Sequence, residues 1–205
     1  NDVAPHPHTP TYKVNSGNPH KQISTQLTGE NSHLIAMGTP GASGLDELMV
    51  GSNTEKVIRH APCPVVTLKE KADLDKIDDI VFAMSYFGQN DYLAEQLKEI
   101  QQLFMARVHL VTINTPGNFL VERNVASSLN KFIEEHQIEN YTINIYSDVT
   151  EEEGIVHFAE DQNANAIAMA THGRTGISHL LTGSLSEDIA NHSMLPVITF
   201  PLSAT

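Results

Sequence analysis

Small residues with the spacing of a phosphate-binding turn occur twice in this chain. Each copy has a short turn rich in glycine, then nine residues, then a Gly-Ser pair. Glycine permits positive φ and close backbone approach, so successive N–H groups in such a turn can point at an anion. The candidate phosphate-binding residues are Gly38, Gly41, Gly51 and Ser52 in the first copy and Ala170, Gly173, Gly183 and Ser184 in the second.

The two serines also mark predicted helix starts. Glu55 follows Ser52 by three residues, and Glu187 follows Ser184 at the same distance. This capping-box pattern is typical of the first turn of a helix. A helix N-terminus offers unpaired N–H donors and a partial positive charge to an anion. The chain has neither a Walker A lysine nor a GxGxxG pattern, so a phosphate would depend on backbone donors and the helix dipole.

Both copies of the turn belong to a longer internal repeat. Residues 36–67 recur without a gap as residues 168–199, so equivalent positions lie 132 residues apart. A unit of that length is a domain, not a solenoid repeat. We expect residues 1–68 to be the C-terminal part of a first domain, with residues 1–11 as a loop or tail. Residues 69–76 then form a charged linker, and residues 77–205 a complete second domain.

Hydrophobic patterning predicts alternating strands and helices. Apolar runs predict strands at 34–37, 64–68, 80–84, 108–113, 141–146, 166–170 and 196–200. Helices are predicted through Ile23 and Leu27, at 52–60, over 93–104 and around 121–136, and Thr150 with Glu153 forms a capping box for another helix. Leu93, Leu97, Ile100, Leu103 and Phe104 are the predicted apolar positions of the third helix. The predicted fold is α/β: a doubly wound parallel sheet with helices on both faces.

Composition excludes several classes of function. The 205 residues carry 12 Lys and Arg against 25 Asp and Glu, a net charge of −13, which argues against a nucleic-acid partner. No apolar run reaches the roughly 18 residues of a membrane span, so we expect no membrane association. The single Cys63 cannot form an internal disulfide, which favours the cytoplasm, and its place between Pro62 and Pro64 indicates packing.

Other reactive side chains form no recognisable catalytic or metal-binding pattern. Eleven histidines are present, including His6 and His8, but none forms a helical pair at metal-ligand spacing with a glutamate. His172 lies beside the second turn, where it could bond a phosphate. His60 and His192 fall near predicted helix C-termini, where an imidazolium interacts favourably with the helix dipole. We expect no required metal, although Mg²⁺ could accompany a bound ATP.

The residues GTPGASGLDELMVGS, from Gly38 to Ser52, resemble the signature of the universal stress protein family. The resemblance implies a five-stranded parallel sheet of the adenine-nucleotide alpha-hydrolase-like type. It also implies that two domains, or two chains of a dimer, pair through their last strands, here residues 64–68 and 196–200. In some members the signature binds ATP.

Some residues of the second domain match the binding positions of the family, and others differ from them. ATP-binding members have an aspartate after the first strand, where this chain has Ser85. Ile113 matches a position whose backbone reads adenine, and Ala170 replaces the first glycine of the signature. Gly173, Gly183 and Ser184 match the phosphate positions. The first domain keeps the whole signature, but its adenine half has no counterpart in this sequence.

Three functions remain open on the sequence alone. The leading hypothesis is a stress-response module that binds ATP or another phosphate ligand and signals through conformation or partner binding. One alternative is an interaction scaffold that binds no nucleotide. Ser85 and Ala170 favour this alternative for the second domain, whereas Gly38 and Gly41 favour ligand binding for the first. The other alternative is a slow ATPase, although no residue beside the turn is an evident general base.

Overall fold

A computed structural model describes residues 12–27, 34–38, 52–69, 72, 74–84, 91–171, 185, 189–190 and 193–201. The α-helices with described bounds are α1 (Pro19–Leu27), α2 (Ser52–His60), α3 (Asp91–Phe104), α4 (Glu122–His136) and α5 (Glu151–Asp161). The strands are β1 (Ile35–Gly38), β2 (Val65–Leu68), β3 (Asp79–Ala83), β4 (Arg107–Asn114), β5 (Tyr141–Ser147), β6 (Ala166–Thr171) and β7 (Val197–Pro201). The alternation of strands and helices predicted from the sequence is confirmed.

All seven strands form one sheet, in the order β1-β2-β7-β6-β3-β4-β5. Strands β7, β6, β3, β4 and β5 are mutually parallel, which is the predicted five-stranded arrangement. Strands β1 and β2 extend this sheet beyond β7 to seven strands. The extension is antiparallel: β2 pairs with β7 within the chain. Pairing of two chains through these strands stays a prediction.

The β2–β7 seam is symmetric about one residue pair. Val66 faces Ile198, and these residues are equivalent in the internal repeat. On either side, the Thr67 hydroxyl donates to the Val197 carbonyl at 3.3 Å, and the Thr199 hydroxyl donates to the Val65 carbonyl at 3.2 Å. Both threonines are buried. The seam therefore repeats the same buried bond twice, once from each copy.

Helices cover both faces of the five parallel strands. Helices α3 and α4 pack on one face over a cluster that includes Phe82 and Phe200, whose rings meet edge to face at 5.5 Å. Helix α5 packs on the other face through Ile155 and Phe158. Side chains that alternate along each strand thus enter separate cores. Strands β3, β4, β6 and β7 are largely buried, as their nearly continuous apolar sequences predict, whereas the edge strand β5 is only partly buried.

Several local expectations can be checked against the structure. Leu103 is wrong as a core position, since it is 58% exposed. The apolar face of α3 that packs on the core includes Ile100 and Phe104, which are four residues apart. Leu103 lies about 100° from Phe104 around the helix axis.

Cys63 is buried, and burial raises the pKa of its thiol. Within the predicted linker Lys69 is also buried, which lowers its pKa.

Replacing either seam threonine with valine should weaken the fold by a similar amount. Each substitution keeps the shape of the side chain and removes one buried hydrogen bond, so we expect the free energy of unfolding to fall by about 0.5–1.5 kcal/mol in each case. Urea denaturation measures this. The control is Thr25→Val, because the Thr25 hydroxyl bonds the Lys21 carbonyl on an exposed helix surface and should contribute less than about 0.5 kcal/mol. A loss in one seam variant and none in the other would contradict the symmetric seam.

Candidate functional site

The carboxyl ends of β3, β4 and β6 lie at one edge of the sheet. The chain proceeds outward from β3 to β4 and β5, then returns to the other side of β3 with β6. The order of strands therefore reverses between β3 and β6. Open α/β sheets bind ligands at such a switch point, outside the carboxyl ends of the strands. Two residues of the predicted second site, Ile113 and Ala170, lie near these carboxyl ends.

Two of the predicted site residues of the second copy are described, and they flank β3. Ile113 is in β4, the neighbour of β3 on one side, and is 5% exposed. Ala170 is in β6, the neighbour on the other side, and pairs with Phe200. The structure thus brings Ile113 and Ala170 to the same edge. The other predicted residues of this copy lie outside the described residues: Ser85, Gly173, Gly183 and Ser184.

The backbone of Ile113 is directed toward β3. The Val111 carbonyl accepts from the Met84 N–H at 2.9 Å, whereas the Asn114 carbonyl accepts from the Asp148 N–H at 3.0 Å. Odd-numbered residues at the end of β4 therefore bond toward β3, and even-numbered residues toward β5. The Ile113 carbonyl accordingly points to the β3 side of the strand, beyond the last ladder bond to Met84.

Buried contacts hold this end of β4 in place. The Thr112 hydroxyl donates to the Met84 carbonyl at 3.2 Å, which ties β4 to the residue before Ser85. On the opposite face, a Cβ atom at Gly154 of α5 would come within 2.6 Å of Cγ2 of Ile113. Helix α5 can therefore approach β4 this closely only with glycine at that position. The Thr150 hydroxyl caps the same helix by accepting from the Glu153 N–H at 3.1 Å, as predicted.

The strand that precedes the first copy of the turn runs opposite to the strand that precedes the second copy. Strand β1 is parallel to β2, which is antiparallel to β7, so β1 runs against β6. Gly38 ends β1, and Ala170 lies near the end of β6. Gly38 and Ala170 therefore lie near the carboxyl ends of strands that run in opposite directions. Ser52 begins α2 as predicted, while Gly41 and Gly51 lie outside the described residues.

A cleft of about 480 Å³ opens between the carboxyl ends of β4 and β5. Asn114 holds one wall, since its amide donates to the Leu120 carbonyl at 3.2 Å and accepts from the Leu120 N–H at 2.8 Å. Phe119 and Val149 line the cleft and are 77% and 72% exposed. This cleft lies on the β5 side of β4 and is lined mainly by apolar surface near a carboxylate.

That carboxylate belongs to Asp148, which pairs with His157 of α5. The Nδ1 atom of His157 lies 2.7 Å from Oδ2 of Asp148. The imidazole, followed by the Val149 N–H, lowers the pKa of Asp148, and the hydrogen bond to Asp148 raises the pKa of His157. The sequence analysis missed this pair. Its only signal was an aspartate directly after a strand with a histidine in the following helix.

A buried histidine, His109, lies away from the candidate site. His109 of β4 contacts Asp79 through Nε2 at 2.9 Å and Thr142 through Nδ1 at 2.8 Å. Asp79 begins β3, so this network joins the amino-terminal halves of three strands. It satisfies polar groups inside the sheet core and is remote from the carboxyl edge. The spacing of His109, Asp79 and Thr142 in the sequence gave no indication that these residues are in contact.

Two findings concern metals and membranes. Within the described part of the chain, no three His, Cys, Asp or Glu side chains are grouped so that they could hold a metal ion. His60 lies in the last turn of α2, as predicted, whereas His6, His8, His172 and His192 lie outside the described residues.

No helix in the described ranges is long and apolar enough to cross a membrane.

Comparison with known proteins gives a consistent result. The sequence model of the universal stress protein family matches residues 3–69 and 76–201. Universal stress protein Slr1230 of Synechocystis is 25% identical over 155 residues, which are 74% of this chain and 51% of that protein. A Thermus aquaticus protein, named universal stress protein in QAH/OAS sulfhydrylase 3'region, is 40% identical over 53 residues, 26% of this chain and 39% of its own. The chain thus spans about half the length of these relatives, or less.

A solved structure supports the fold. The crystal structure of a universal stress protein from Archaeoglobus fulgidus DSM 4304 aligns with a TM-score of 0.70 at 22% identity. The alignment covers 90% of this chain and 67% of that one. The shared architecture therefore includes both repeat copies and the sheet that joins them.

Gly154→Ala should destabilise the protein through the contact with Ile113. The added methyl group would overlap Cγ2 of Ile113 and approach Cβ of Asp148, so we expect a loss of about 1–3 kcal/mol in the free energy of unfolding. The matched control is Gly117→Ala, where an added Cβ meets no atom within 4 Å. Urea unfolding of both variants checks this, and equal stabilities would contradict the close packing of α5 on β4.

The Asp148–His157 pair should stabilise the fold only in a window of pH. Because the pKa of His157 is raised, this residue contributes its full stabilisation at pH values below the ordinary histidine pKa of about 6.5. Because the pKa of Asp148 is lowered, that residue contributes its full stabilisation at pH values above the ordinary aspartate pKa of about 4. The contribution is lost as pH rises through the raised pKa of His157 or falls through the lowered pKa of Asp148. The stability difference between wild type and His157→Gln should therefore peak between these limits. In an Asp148→Asn background the peak should vanish, and a difference that is independent of pH would refute the ion pair.

Proposed function

Because the chain belongs to the universal stress protein family, we propose that it binds ATP or a related nucleotide at the carboxyl edge of its second repeat unit. In this proposal the protein acts in a stress response, and the bound nucleotide changes its conformation or its partner binding. The observation that carries the proposal is the placement of Ile113 and Ala170 on either side of β3, at the switch point of the sheet. The base and the phosphates of one ligand could span these positions.

The base would bind on the Ile113 side. The Ile113 carbonyl points toward β3, where it can accept from the exocyclic amino group of adenine, the role that the family resemblance gives this backbone. Contacts from Thr112 and from α5 already fix the carbonyl in place, so little ordering would accompany binding.

The phosphates would bind on the β6 side, in the turn that contains Gly173 and at the predicted helix start at Ser184. Backbone N–H groups and the helix dipole would supply the donors. Mg²⁺, where present, would arrive with the phosphates, since the sequence provides no evident ligands of its own.

Two substitutions in the second unit should make this site weak. Ser85 puts a neutral hydroxyl where ATP-binding relatives have a carboxylate, and Ala170 adds a methyl group at a glycine position of the signature. A hydrogen bond to a charged group contributes about 1.5–3 kcal/mol, so the loss of the carboxylate alone would cost roughly tenfold or more in affinity. These residues favour the alternative of an interaction scaffold that binds no nucleotide.

Calorimetric titration with Mg-ATP separates the two functions. We expect one ATP per chain and loss of binding in Gly173→Val, whose side chain would fill the turn. The matched control is Gly41→Val, the equivalent residue of the first unit, which should leave that binding intact. Ser85→Asp should raise the affinity by about tenfold.

Failure of this proposal has a clear signature. If the purified protein, freed of nucleotide, shows neither heat of binding nor a rise in melting temperature with excess ATP, the scaffold function replaces it. Loss of binding in Gly41→Val but not in Gly173→Val would move the site to the first unit.

A further inference from the structure

A cavity of about 150 Å³ lies where the segment before β2 meets helix α3. Pro62, Cys63 and Pro64 line it from the first repeat copy, and Tyr92 and Gln96 line it from α3. The Tyr92 hydroxyl donates to the Pro62 carbonyl at 2.7 Å, which ties the two walls together. None of the described residues that were predicted to bind nucleotide lines this cavity. It is therefore a separate candidate site.

One wall of the cavity contains a buried side chain whose polar atoms are unsatisfied. Gln96 is 5% exposed, and neither its amide nitrogen nor its amide oxygen has a hydrogen-bond partner among the described residues. Gln101 of the same helix shows the usual arrangement, since its Nε2 atom donates to the carbonyls of Ala106, Glu139 and Asn140. A buried amide without partners loses its bonds to water and gains none in return. The position of Gln96 beside a cavity favours a ligand that supplies them.

The carboxamide of Gln96 presents a hydrogen-bond donor and an acceptor side by side. A primary carboxamide is complementary to it: its oxygen accepts from Nε2, and its N–H on the same side donates to Oε1. A carboxylate lacks the donor, and an ammonium or guanidinium group lacks the acceptor, so neither of these classes can satisfy both atoms.

The other polar residues of the cavity suit the second N–H of a primary amide. Glu95 and Glu99, one helical turn apart, also line the cavity, and an ionised carboxylate only accepts hydrogen bonds. Burial and the nearby Cys63 and Glu99 raise the pKa of the Tyr92 phenol, so this hydroxyl keeps its proton. The cavity is thus rich in acceptors and unfavourable for an anion.

We propose that this cavity binds a primary carboxamide, either a small free amide or the side chain of an asparagine or glutamine in a peptide. One buried water molecule needs about 10–15 Å³, so the cavity is large enough for the four non-hydrogen atoms of acetamide. Neither the ligand nor the residues involved depend on nucleotide binding at the switch point.

Nuclear magnetic resonance of the ¹⁵N-labelled full chain during titration with acetamide tests this site. The side-chain NH₂ signals of Gln96 and the backbone amides of Cys63 and Tyr92 should shift and saturate. We expect a dissociation constant in the millimolar range, because so small a ligand makes few contacts. N,N-dimethylacetamide keeps the carbonyl but has no N–H, so it should bind at least tenfold more weakly.

Gln96→Met removes both amide atoms and keeps the length of the side chain, so it should abolish the saturable shifts at Cys63 and Tyr92. The matched control is Gln102→Met, at an exposed position of the same helix, which should bind acetamide as the wild type does. Because Gln96→Met also removes an unsatisfied buried amide, its melting temperature should equal or exceed that of the wild type. If it does not fold, Gln96→Leu replaces it.

A blocked tripeptide with a central glutamine distinguishes the two sources of the amide. Binding tighter than that of acetamide, lost when the central residue is glutamate, assigns the site to peptides. Binding of acetamide without binding of the tripeptide assigns it to free amides. Shifts that grow linearly with acetamide concentration in the wild type, or equal binding by Gln96→Met or by N,N-dimethylacetamide, would overturn the proposal and leave the cavity to solvent.

Discussion

The antiparallel pairing of β2 with β7 is the contact on which the arrangement of this protein depends. It joins the two repeat copies into one sheet, and the pairing is centred on the equivalent residues Val66 and Ile198. Two buried threonine hydroxyls, from Thr67 and Thr199, bond across it in the same way from both sides. Because β2 and β7 are antiparallel, the strands of the two copies run in opposite directions. The carboxyl ends of the parallel strands in one copy therefore lie on the opposite side of the sheet from those in the other copy.

The strand ends that precede the two turns have different surroundings, although the two repeat copies are related in sequence. In the second copy, β3 and β4 continue the sheet past β6, and Ile113 and Ala170 flank the switch point. In the first copy the sheet ends at β1 among the described residues. Of the signature that follows β1, only Gly38 and Ser52 fall within the described residues.

Much of this fold could be predicted from the sequence, because its main signals are local. Apolar strand runs and the Thr150 capping box depend on residues close together in the chain. Leu103 was misplaced since helical spacing alone could not decide between it and Phe104. The Asp148–His157 and Asp79–His109 contacts were missed for another reason: they depend on the register of strands and helices, which the sequence does not show. For the site, only Gly38, Ser52, Ile113 and Ala170 fall within the described residues.

Native-state hydrogen exchange at the seam tests the central claim most directly. If the seam makes the two copies one cooperative unit, the amides of Val65, Thr67, Val197 and Thr199 should exchange with free energies of opening within about 1 kcal/mol of one another, near the value for global unfolding. If the β2 amides exchange through a much less costly opening while the amides of β6 and β3 stay protected, the copies unfold independently. That result would contradict the claim that the seam unites the structure.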